Sequence, residues 1–295
     1  MIIAVTGARG AGATFVAANL AGASLSPVTL LDMDVSKPCC ADFIRAEKIA
    51  SEPVFVPVPR IDAALCDSCG ECVAACYYKA LRPFRGAPQV FPALCHSGGA
   101  CRRACPTGAI TLAARLIGAV ETGVSGNIFL VSGKMSDHEH MGRILEKSIR
   151  KFAEPGGLTI MDCPPDAFPN PLECDVMLWV AEPSPRGIYE LSRSLLKARE
   201  KRLPFGVVVN RSGAGDGRIE RLCRKARVPV FLSIPDSPGI SAAISENRLL
   251  VDDLPRLRLS FRQMLLSAKN QARRPSRLFL MGPSVHEGDI AALAS

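Results

Sequence analysis

Seven cysteines fall into two closely spaced runs that have the form of metal-ligand motifs. The runs are Cys66-x2-Cys69-x2-Cys72-x3-Cys76 and Cys95-x5-Cys101-x3-Cys105-Pro106. Three thiolates spaced by two residues lie on one tight turn and can hold one face of an iron–sulfur cube, while a fourth thiolate further along serves the other cluster in two-cluster proteins. The second run has Gly98 where this spacing requires a thiolate. The runs predict two iron–sulfur sites, one of them incomplete.

The composition limits the compartment and the partners of such a protein. Twelve cysteines in 295 residues do not form a disulfide scaffold, and their clustering indicates metal in a reducing compartment. The net charge is +8, but the basic residues are dispersed, so we expect no nucleic-acid partner. Basic side chains near the cysteine runs favour an acidic redox protein as a partner.

The apolar start at Met1 predicts a buried strand and not a signal peptide, and no segment is long enough to span a membrane. We expect a cytoplasmic protein without membrane contact.

The elements that must position these cysteines form an α/β pattern. Short apolar runs alternate with amphipathic stretches, which is typical of a mostly parallel sheet with helices on both faces. The predicted strands are Ile2–Thr6, Val28–Met33, Ile128–Ser132, Leu158–Asp162, Asp175–Ala181, Phe205–Asn210 and Val230–Ile234. The predicted helices are Thr14–Ala23, His138–Phe152, Gly187–Lys201, Arg218–Ala226 and Leu257–Lys269.

The cysteine runs interrupt this pattern after its second strand. The proline-rich segment Glu52–Arg60 is interpreted as a linker that leads into an inserted module. We therefore predict a domain in two parts, residues 1–59 and 114–274, around a module at residues 60–113. Residues 275–295 are expected to form a tail to which we assign no role.

A glycine-rich turn between the first strand and the first helix has the frame of a phosphate-binding loop, G-x4-G-K-[ST]. Gly7, Gly12 and Thr14 occupy their places in this frame, but Ala13 stands at the lysine position. Such a lysine makes charge-assisted hydrogen bonds to phosphate, each contributing roughly 1.5–3 kcal/mol. The frame is therefore compatible with a loop that has lost its strongest phosphate contact.

These residues resemble the MinD superfamily of P-loop ATPases, specifically the subgroup with an inserted two-cluster ferredoxin module. The segments Leu31-Asp32-Met33-Asp34-Val35-x2-Pro38, Ile160-Met161-Asp162-Cys163-Pro164-Pro165 and Val209-Asn210-Arg211 resemble the family's first switch, its Walker B with second switch, and its adenine-reading segment. The resemblance implies a Rossmann-like P-loop NTPase fold that carries the ferredoxin module. It also implies that Gly7, Gly10, Gly12, Thr14, Asp34, Asp162 and Asn210 are what is left of a nucleotide site.

The departures from the family concern the charges that act on a nucleotide. The family has two lysines in this loop, and the corresponding residues here are Ala8 and Ala13. Asp166 replaces the glycine after the proline pair. Arg9 also lies inside the loop, but we do not expect it to substitute for a lysine, because of its register and its long side chain. Three possibilities stay open, namely a tight turn without ligand, weak or partner-assisted nucleotide binding, and autonomous ATPase activity. ATP and magnesium are therefore doubtful cofactors, and we do not expect the chain alone to hydrolyse ATP.

The crossed ligation of two-cluster ferredoxins divides the cysteines into two sets. Cys66, Cys69, Cys72 and Cys105 form a complete set, for which a 4Fe–4S cluster is expected. Cys76, Cys95 and Cys101 form an incomplete set, which suits a 3Fe–4S cluster. A 4Fe–4S cluster with an open iron, bound by water, hydroxide, His96, Ser97 or an external ligand, and an empty site are the alternatives. A zinc site does not need this spacing.

The resulting hypothesis is an iron–sulfur electron-transfer or regulatory subunit that has lost ATPase competence. The resemblance implies a homodimer, or a heterodimer with a P-loop paralogue whose lysines are intact. An iron–sulfur assembly or carrier protein and a partner-assisted ATPase are the alternatives. The adjacent Cys39 and Cys40 could bridge a metal between subunits, but adjacent cysteines do not easily chelate one iron, so packed thiols are the favoured interpretation.

Overall fold

The computed structural model describes residues 1–37, 39–165, 167–213 and 217–273. Pro38, Asp166 and the predicted tail at 275–295 lie outside the described residues.

The strands form a nine-stranded sheet in the order β11-β10-β9-β1-β8-β2-β7-β6-β3, with a separate small pair β4-β5. Their bounds are β1 Ile2–Gly7, β2 Val28–Asp32, β3 Glu47–Ile61, β4 Leu81–Arg82, β5 Gln89–Val90, β6 Ile110–Ser125, β7 Ile128–Met135, β8 Leu158–Asp162, β9 Val176–Ala181, β10 Phe205–Ser212 and β11 Val230–Pro235. The pairs β1/β8, β1/β9, β2/β7, β2/β8, β9/β10 and β10/β11 are parallel. The sheet is therefore mostly parallel, as a doubly wound fold requires.

The helices are α1 Ala13–Gly22, α2 Cys40–Phe43, α3 Glu71–Ala74, α4 Ala100–Ala104, α5 Gly142–Arg150, α6 Pro185–Glu200, α7 Arg218–Ala226, α8 Pro238–Ser245, α9 Leu250–Asp253 and α10 Pro255–Arg273. A short 3-10 helix spans Pro92–Leu94. Within the described residues, no helix combines the length and apolar character needed to cross a bilayer.

The predicted α/β fold is confirmed, and every predicted strand and helix overlaps an observed one. The central strands were recognisable because they are buried on both faces and read as continuous apolar runs. The helix predicted from His138 begins only at Gly142, since His138 has a positive φ of 60° that no α-helix contains.

The interpretation of Glu52–Arg60 as a linker was wrong, because this segment lies inside strand β3. Strand β3 ends the sheet order, so within the described residues no strand pairs with one of its two sides. The strand contains three prolines whose sequence numbers differ by even steps, Pro53, Pro57 and Pro59. Because a strand has a period of two residues, the backbone positions at which they lack an N–H group face the same side of the strand. Prolines are tolerated in an edge strand on the side that faces solvent.

The chain divides into two compact units. The first contains residues 1–50, 121–133 and the described residues from 149 onward. The second contains residues 51–120 and 134–148, and with them both cysteine runs. Strands β3, β6 and β7 each pass from one unit into the other. The domain boundaries given above stay a prediction.

Candidate functional site

The two cysteine runs follow the same backbone path. Gly70 (φ 81°) precedes helix α3 as Gly99 (φ 68°) precedes helix α4, and each is preceded at two residues by a serine with φ near 60°, Ser68 (60°) and Ser97 (58°). When the two runs are aligned on Gly70 and Gly99, Gly98 of the second run corresponds to Cys69 of the first. The loop geometry that presents a ligand is therefore kept in the second run, while the ligand itself is missing.

The first predicted cysteine set is brought together around Cys72. Burial raises the pKa of the Cys72 thiol, and the charges of Cys105 and Cys66 add to this shift. Cys105 packs against the apolar cluster that contains Cys72. Cys69 is exposed one residue before Gly70, with its N–H donated to the Asp67 carboxylate at 3.2 Å. The Thr107 hydroxyl lowers the pKa of Cys105.

The second set converges in the same way around Cys101. Burial raises the pKa of the Cys101 thiol, and the charges of Cys95 and Cys76 contribute to the shift. The sulfur of Cys76 accepts the N–H of Ala80 at 3.3 Å, and the sulfur of Cys95 accepts that of Ser97 at 3.4 Å. Such N–H···S hydrogen bonds stabilise the negative charge of a thiolate-ligated cluster.

Both sets lie against one apolar cluster. Cys72 and Cys101 are buried together with Leu81 and Ile110, and Cys76 and Cys105 pack against this group. Apolar walls restrict water and lower the local dielectric constant, which is one of the means by which a protein tunes the potential of a cluster. The residues present therefore fit the iron–sulfur groups that the spacing predicts.

Sequence reasoning missed Arg115, which supports the second set. Its guanidinium donates to the carbonyl oxygen of Cys95 at 3.4 Å and pairs with Glu139. The Glu139 side chain is 5% exposed and also accepts the N–H groups of His140 and Met141. No motif points to Arg115, because it lies in strand β6, far along the chain from its partners.

Replacing Arg115 with alanine is expected to lower the free energy of unfolding by roughly 3–5 kcal/mol, because the substitution leaves the Glu139 carboxylate buried without its counterion. Anaerobic urea denaturation of the intact protein measures this change. Lys48→Ala is the matched control: the Lys48–Glu121 pair is exposed, with side chains 58% and 35% accessible, and its loss is expected to cost less than about 1 kcal/mol. Similar costs for the two variants would contradict this account of Arg115.

The phosphate-loop frame is present, and two of its glycines, Gly7 and Gly12, have close neighbours that leave no room for a side chain. Helix α1 begins after Gly12, which has a φ of 92°. A Cβ at Gly7 would lie 2.4 Å from the carbonyl oxygen of Val180 on strand β9. Asn210, predicted to read adenine, is buried and donates its side-chain amide to the carbonyl of Ala11 at 2.9 Å. In this structure the Asn210 side chain therefore anchors the backbone of the phosphate loop at Ala11.

The two predicted aspartates have different surroundings. Asp34 accepts hydrogen bonds within its own turn, from the Ser36 hydroxyl at 2.6 Å and the Lys37 N–H at 3.2 Å. Asp162 is buried beside Asp32, which the prediction did not include. Burial raises the pKa of Asp162 to about 8, with a further contribution from Asp32. Burial likewise raises the pKa of Asp32 to about 6, although the N–H groups of Cys40 and Cys39 oppose this shift.

Comparison with known sequences identifies the cysteine runs. Two family models, each described as a 4Fe-4S binding domain, match residues 58–81 and 88–111. Among curated proteins, none is significantly similar to the chain.

Comparison with solved structures identifies the fold. A variant of Cyanothece McdA in complex with ATP is 16% identical with a TM-score of 0.52, over 91% of this chain and 95% of that one. A putative plasmid partition protein from Borrelia burgdorferi B31, bound to AMPPNP, is 12% identical with a TM-score of 0.51, over 90% and 98%. A chain of the MinC:MinD cell division protein complex of Aquifex aeolicus is 17% identical over 97% and 98%, with a TM-score of 0.46.

The chain therefore has the α/β fold of these nucleotide-bound proteins, McdA and the plasmid partition protein. The chain is an iron–sulfur protein that joins this fold to two 4Fe–4S binding domains. The predicted α/β fold and the predicted pair of 4Fe–4S binding segments are thereby confirmed.

Proposed function

We propose that the chain is an electron-transfer or regulatory iron–sulfur subunit that does not hydrolyse ATP on its own. The observation that carries the proposal is the presence of two 4Fe–4S binding domains in a protein whose phosphate loop has alanine at both lysine positions, Ala8 and Ala13. The cysteines supply thiolates for redox centres, and the loop lacks the cations that stabilise phosphoryl transfer.

The proposed ligands are Cys66, Cys69, Cys72 and Cys105 for a 4Fe–4S cluster, and Cys76, Cys95 and Cys101 for a 3Fe–4S or open 4Fe–4S cluster. When bound, such clusters accept and release single electrons. The protein contributes the apolar packing around Cys72 and Cys101 and the N–H groups that point at the sulfurs of Cys76 and Cys95.

The isolated protein is expected to show no magnesium-dependent ATP turnover above a protein-free blank. The physical reason is that neither Ala8 nor Ala13 can neutralise charge on a transferring phosphoryl group. Phosphate release measured anaerobically on the cluster-loaded chain tests this, with Thr14→Ala as the control variant. Residual turnover that survives Thr14→Ala marks a contaminant, whereas turnover that this substitution abolishes would overturn the proposal.

The proposed partners are a P-loop paralogue with intact lysines, or a second copy of the chain, and a redox protein. The surface of the second unit favours an acidic redox protein, since Tyr77 is 87% exposed and Arg82, Arg85, Arg102 and Arg103 lie in the same segment of chain. Anaerobic affinity purification from native cells tests the pairing. Recovery of an intact P-loop paralogue supports it, and recovery of apo iron–sulfur enzymes instead favours a carrier.

An iron–sulfur carrier is the second candidate, and the incomplete second set favours it, because a three-thiolate site holds a cluster less firmly. Incubation of the loaded chain with an apo-acceptor separates the two functions. Reversible reduction with both clusters retained supports electron transfer, while transfer of iron and sulfide to the acceptor supports the carrier.

A partner-assisted ATPase is the remaining alternative. It requires that the addition of a paralogue produce ATP turnover that depends on Asp34.

A further inference from the structure

An aromatic stack joins the two loops that carry Cys76 and Cys95 of the second set. The rings of Tyr78 and His96 are stacked, with their centroids 3.7 Å apart and their planes at 17°. Tyr77, which directly follows Cys76, packs edge-on against Tyr78 with a centroid distance of 5.2 Å. His96 directly follows Cys95. The three rings therefore belong to the surroundings of the second set.

These rings are exposed although they are held in place. Tyr77 is 87% exposed and Tyr78 51%, and His96 is exposed as well. Exposed groups of large apolar side chains mark the sites at which proteins bind other molecules. Because the stack already fixes the orientation of the rings, a partner that covers them has little side-chain freedom left to remove.

The charges around the two cysteine runs differ in sign. Asp62, Asp67 and Glu71 lie before or within the first run, whereas residues 72–120 contain no aspartate or glutamate. The same stretch carries five exposed cations, Lys79, Arg82, Arg85, Arg102 and Arg103. In the part of the chain that the structure describes, none of these five forms an ion pair. Their positive charge is therefore available to an acidic surface.

Two of these arginines are placed beside the second set by direct contacts. The guanidinium of Arg82 lies over the ring of Phe91, 5.5 Å from its centroid, and Phe91 precedes Cys95 by four residues. The guanidinium of Arg103 donates to the carbonyl oxygen of Gly98 at 3.5 Å, on the loop that lacks its thiolate. The exposed rings and the positive charge therefore surround the same cysteine set.

We propose that an acidic redox protein docks on the second-set surface, which consists of Tyr77, Tyr78, Lys79, Arg82, His96 and Arg103. This surface deepens the electron-transfer function proposed above, on which it rests, because it makes the second cysteine set, and not the first, the one that faces the partner. Aromatic and arginine side chains carry much of the binding energy of protein interfaces, and complementary charge steers the two proteins together.

The charge of the chain favours this occupant over two others. A second copy of the chain carries a net charge of +8, which disfavours its approach to a positive surface. An anionic membrane would also attract the cations, but peripheral proteins bind membranes through amphipathic helices or lipid anchors. None of the three rings lies in a helix. An acidic protein fits both the charge and the fixed, exposed rings.

Carbodiimide cross-linking tests the location of the surface, because it joins a lysine amine to a carboxylate of a bound protein and Lys79 is the lysine of this surface. The probe is a strongly acidic flavodoxin, added anaerobically to the full chain with its clusters. Mass spectrometry of the joined peptides is expected to find most cross-links at Lys79 and to lose them at high ionic strength. Cross-links mainly at lysines of the first unit, or no cross-link, overturn the proposal.

Calorimetric titration with the same flavodoxin measures the contribution of the rings. Tyr77→Ser is expected to raise the dissociation constant at least about fivefold, as the loss of an aromatic interface residue does. Tyr189→Ser is the matched control and is expected to change nothing, since Tyr189 is 48% exposed and lies beside an arginine, Arg193 at 5.8 Å, but belongs to the first unit. Equal effects of the two substitutions, or equal affinity for a flavodoxin whose carboxylates are amidated, contradict the proposal.

Two further measurements separate the remaining outcomes. Binding of phosphatidylglycerol vesicles that is lost in Tyr77→Ser, without binding of flavodoxin, would assign the surface to a membrane and overturn the proposal. Dithionite reduction of the chain without any partner tests the electron-transfer function independently. Clusters that are reduced and reoxidised reversibly while flavodoxin does not bind would refute the docking surface alone, whereas clusters that cannot be reduced would refute the electron-transfer function itself.

Discussion

The Gly98→Cys variant is expected to lose the paramagnetic signal of the oxidised second cluster and to rise from about seven to about eight irons per chain. An oxidised 3Fe–4S cluster is paramagnetic, whereas an oxidised 4Fe–4S cluster of the low-potential type is silent. The added thiolate completes a set that now has only Cys76, Cys95 and Cys101. Electron paramagnetic resonance and iron analysis of the anaerobically purified variant measure both changes.

The backbone at Gly98 is suited to this substitution. Gly98 is not among the glycines with a positive φ, so a side chain introduces no left-handed strain there. Among the described residues, no atom lies within 4 Å of the position that a Cβ would take. Its counterpart in the first run is Cys69, which already carries the thiol on the same loop path. The gain of a ligand therefore does not require repacking.

Gly98→Ala is the control, because it adds the same Cβ atom without a thiol. This variant is expected to keep the paramagnetic signal of the unmodified protein. If the unmodified protein is already silent when oxidised and holds about eight irons, the second cluster is an open 4Fe–4S cluster and the three-iron assignment is wrong. If the signal persists in Gly98→Cys, the new thiol does not reach the cluster and the proposed equivalence of Gly98 and Cys69 fails.

The parts of the fold that could be predicted from the sequence are those with a strong local signal. Strands such as β9, Val176–Ala181, are buried along their whole length and read as unbroken apolar runs. Strand β3 was missed because its prolines are usually signs of a loop. They fit a strand only because β3 lies at the edge of the sheet, and a position in the sheet is not encoded locally.

The same distinction separates the predicted from the missed site residues. The cysteine runs were found because their ligands are close in sequence and their spacing is characteristic. Arg115 was not found, since its role depends on Glu139, which lies 24 residues further along the chain. Asp32 had a usable signal, because it ends a strand in the quoted switch segment, where ligands of parallel sheets gather.

Replacing Gly7 with alanine is expected to destabilise the protein by about 3 kcal/mol or more, at the upper end of the cost of overpacking, whether or not nucleotide is present. Gly7 ends strand β1 opposite Val180, and the new Cβ would lie 2.4 Å from the carbonyl oxygen of that residue. The new Cβ and the carbonyl oxygen of Val180 are both fixed by the backbones of neighbouring strands in the middle of the sheet. The clash therefore cannot be relieved by a side-chain rotation.

Gly10→Ala provides the comparison within the same loop. Gly10 is exposed, and no described atom lies near the position of its Cβ, so alanine there is strained only by the φ of 86°. That strain costs about 1–2 kcal/mol. Anaerobic urea denaturation with and without ATP measures both variants. Equal losses, or a Gly7→Ala loss that depends on ATP, would contradict a structural role for Gly7. The expected result would mean that sheet packing alone requires this glycine, so its presence in the loop does not by itself indicate that phosphate binds.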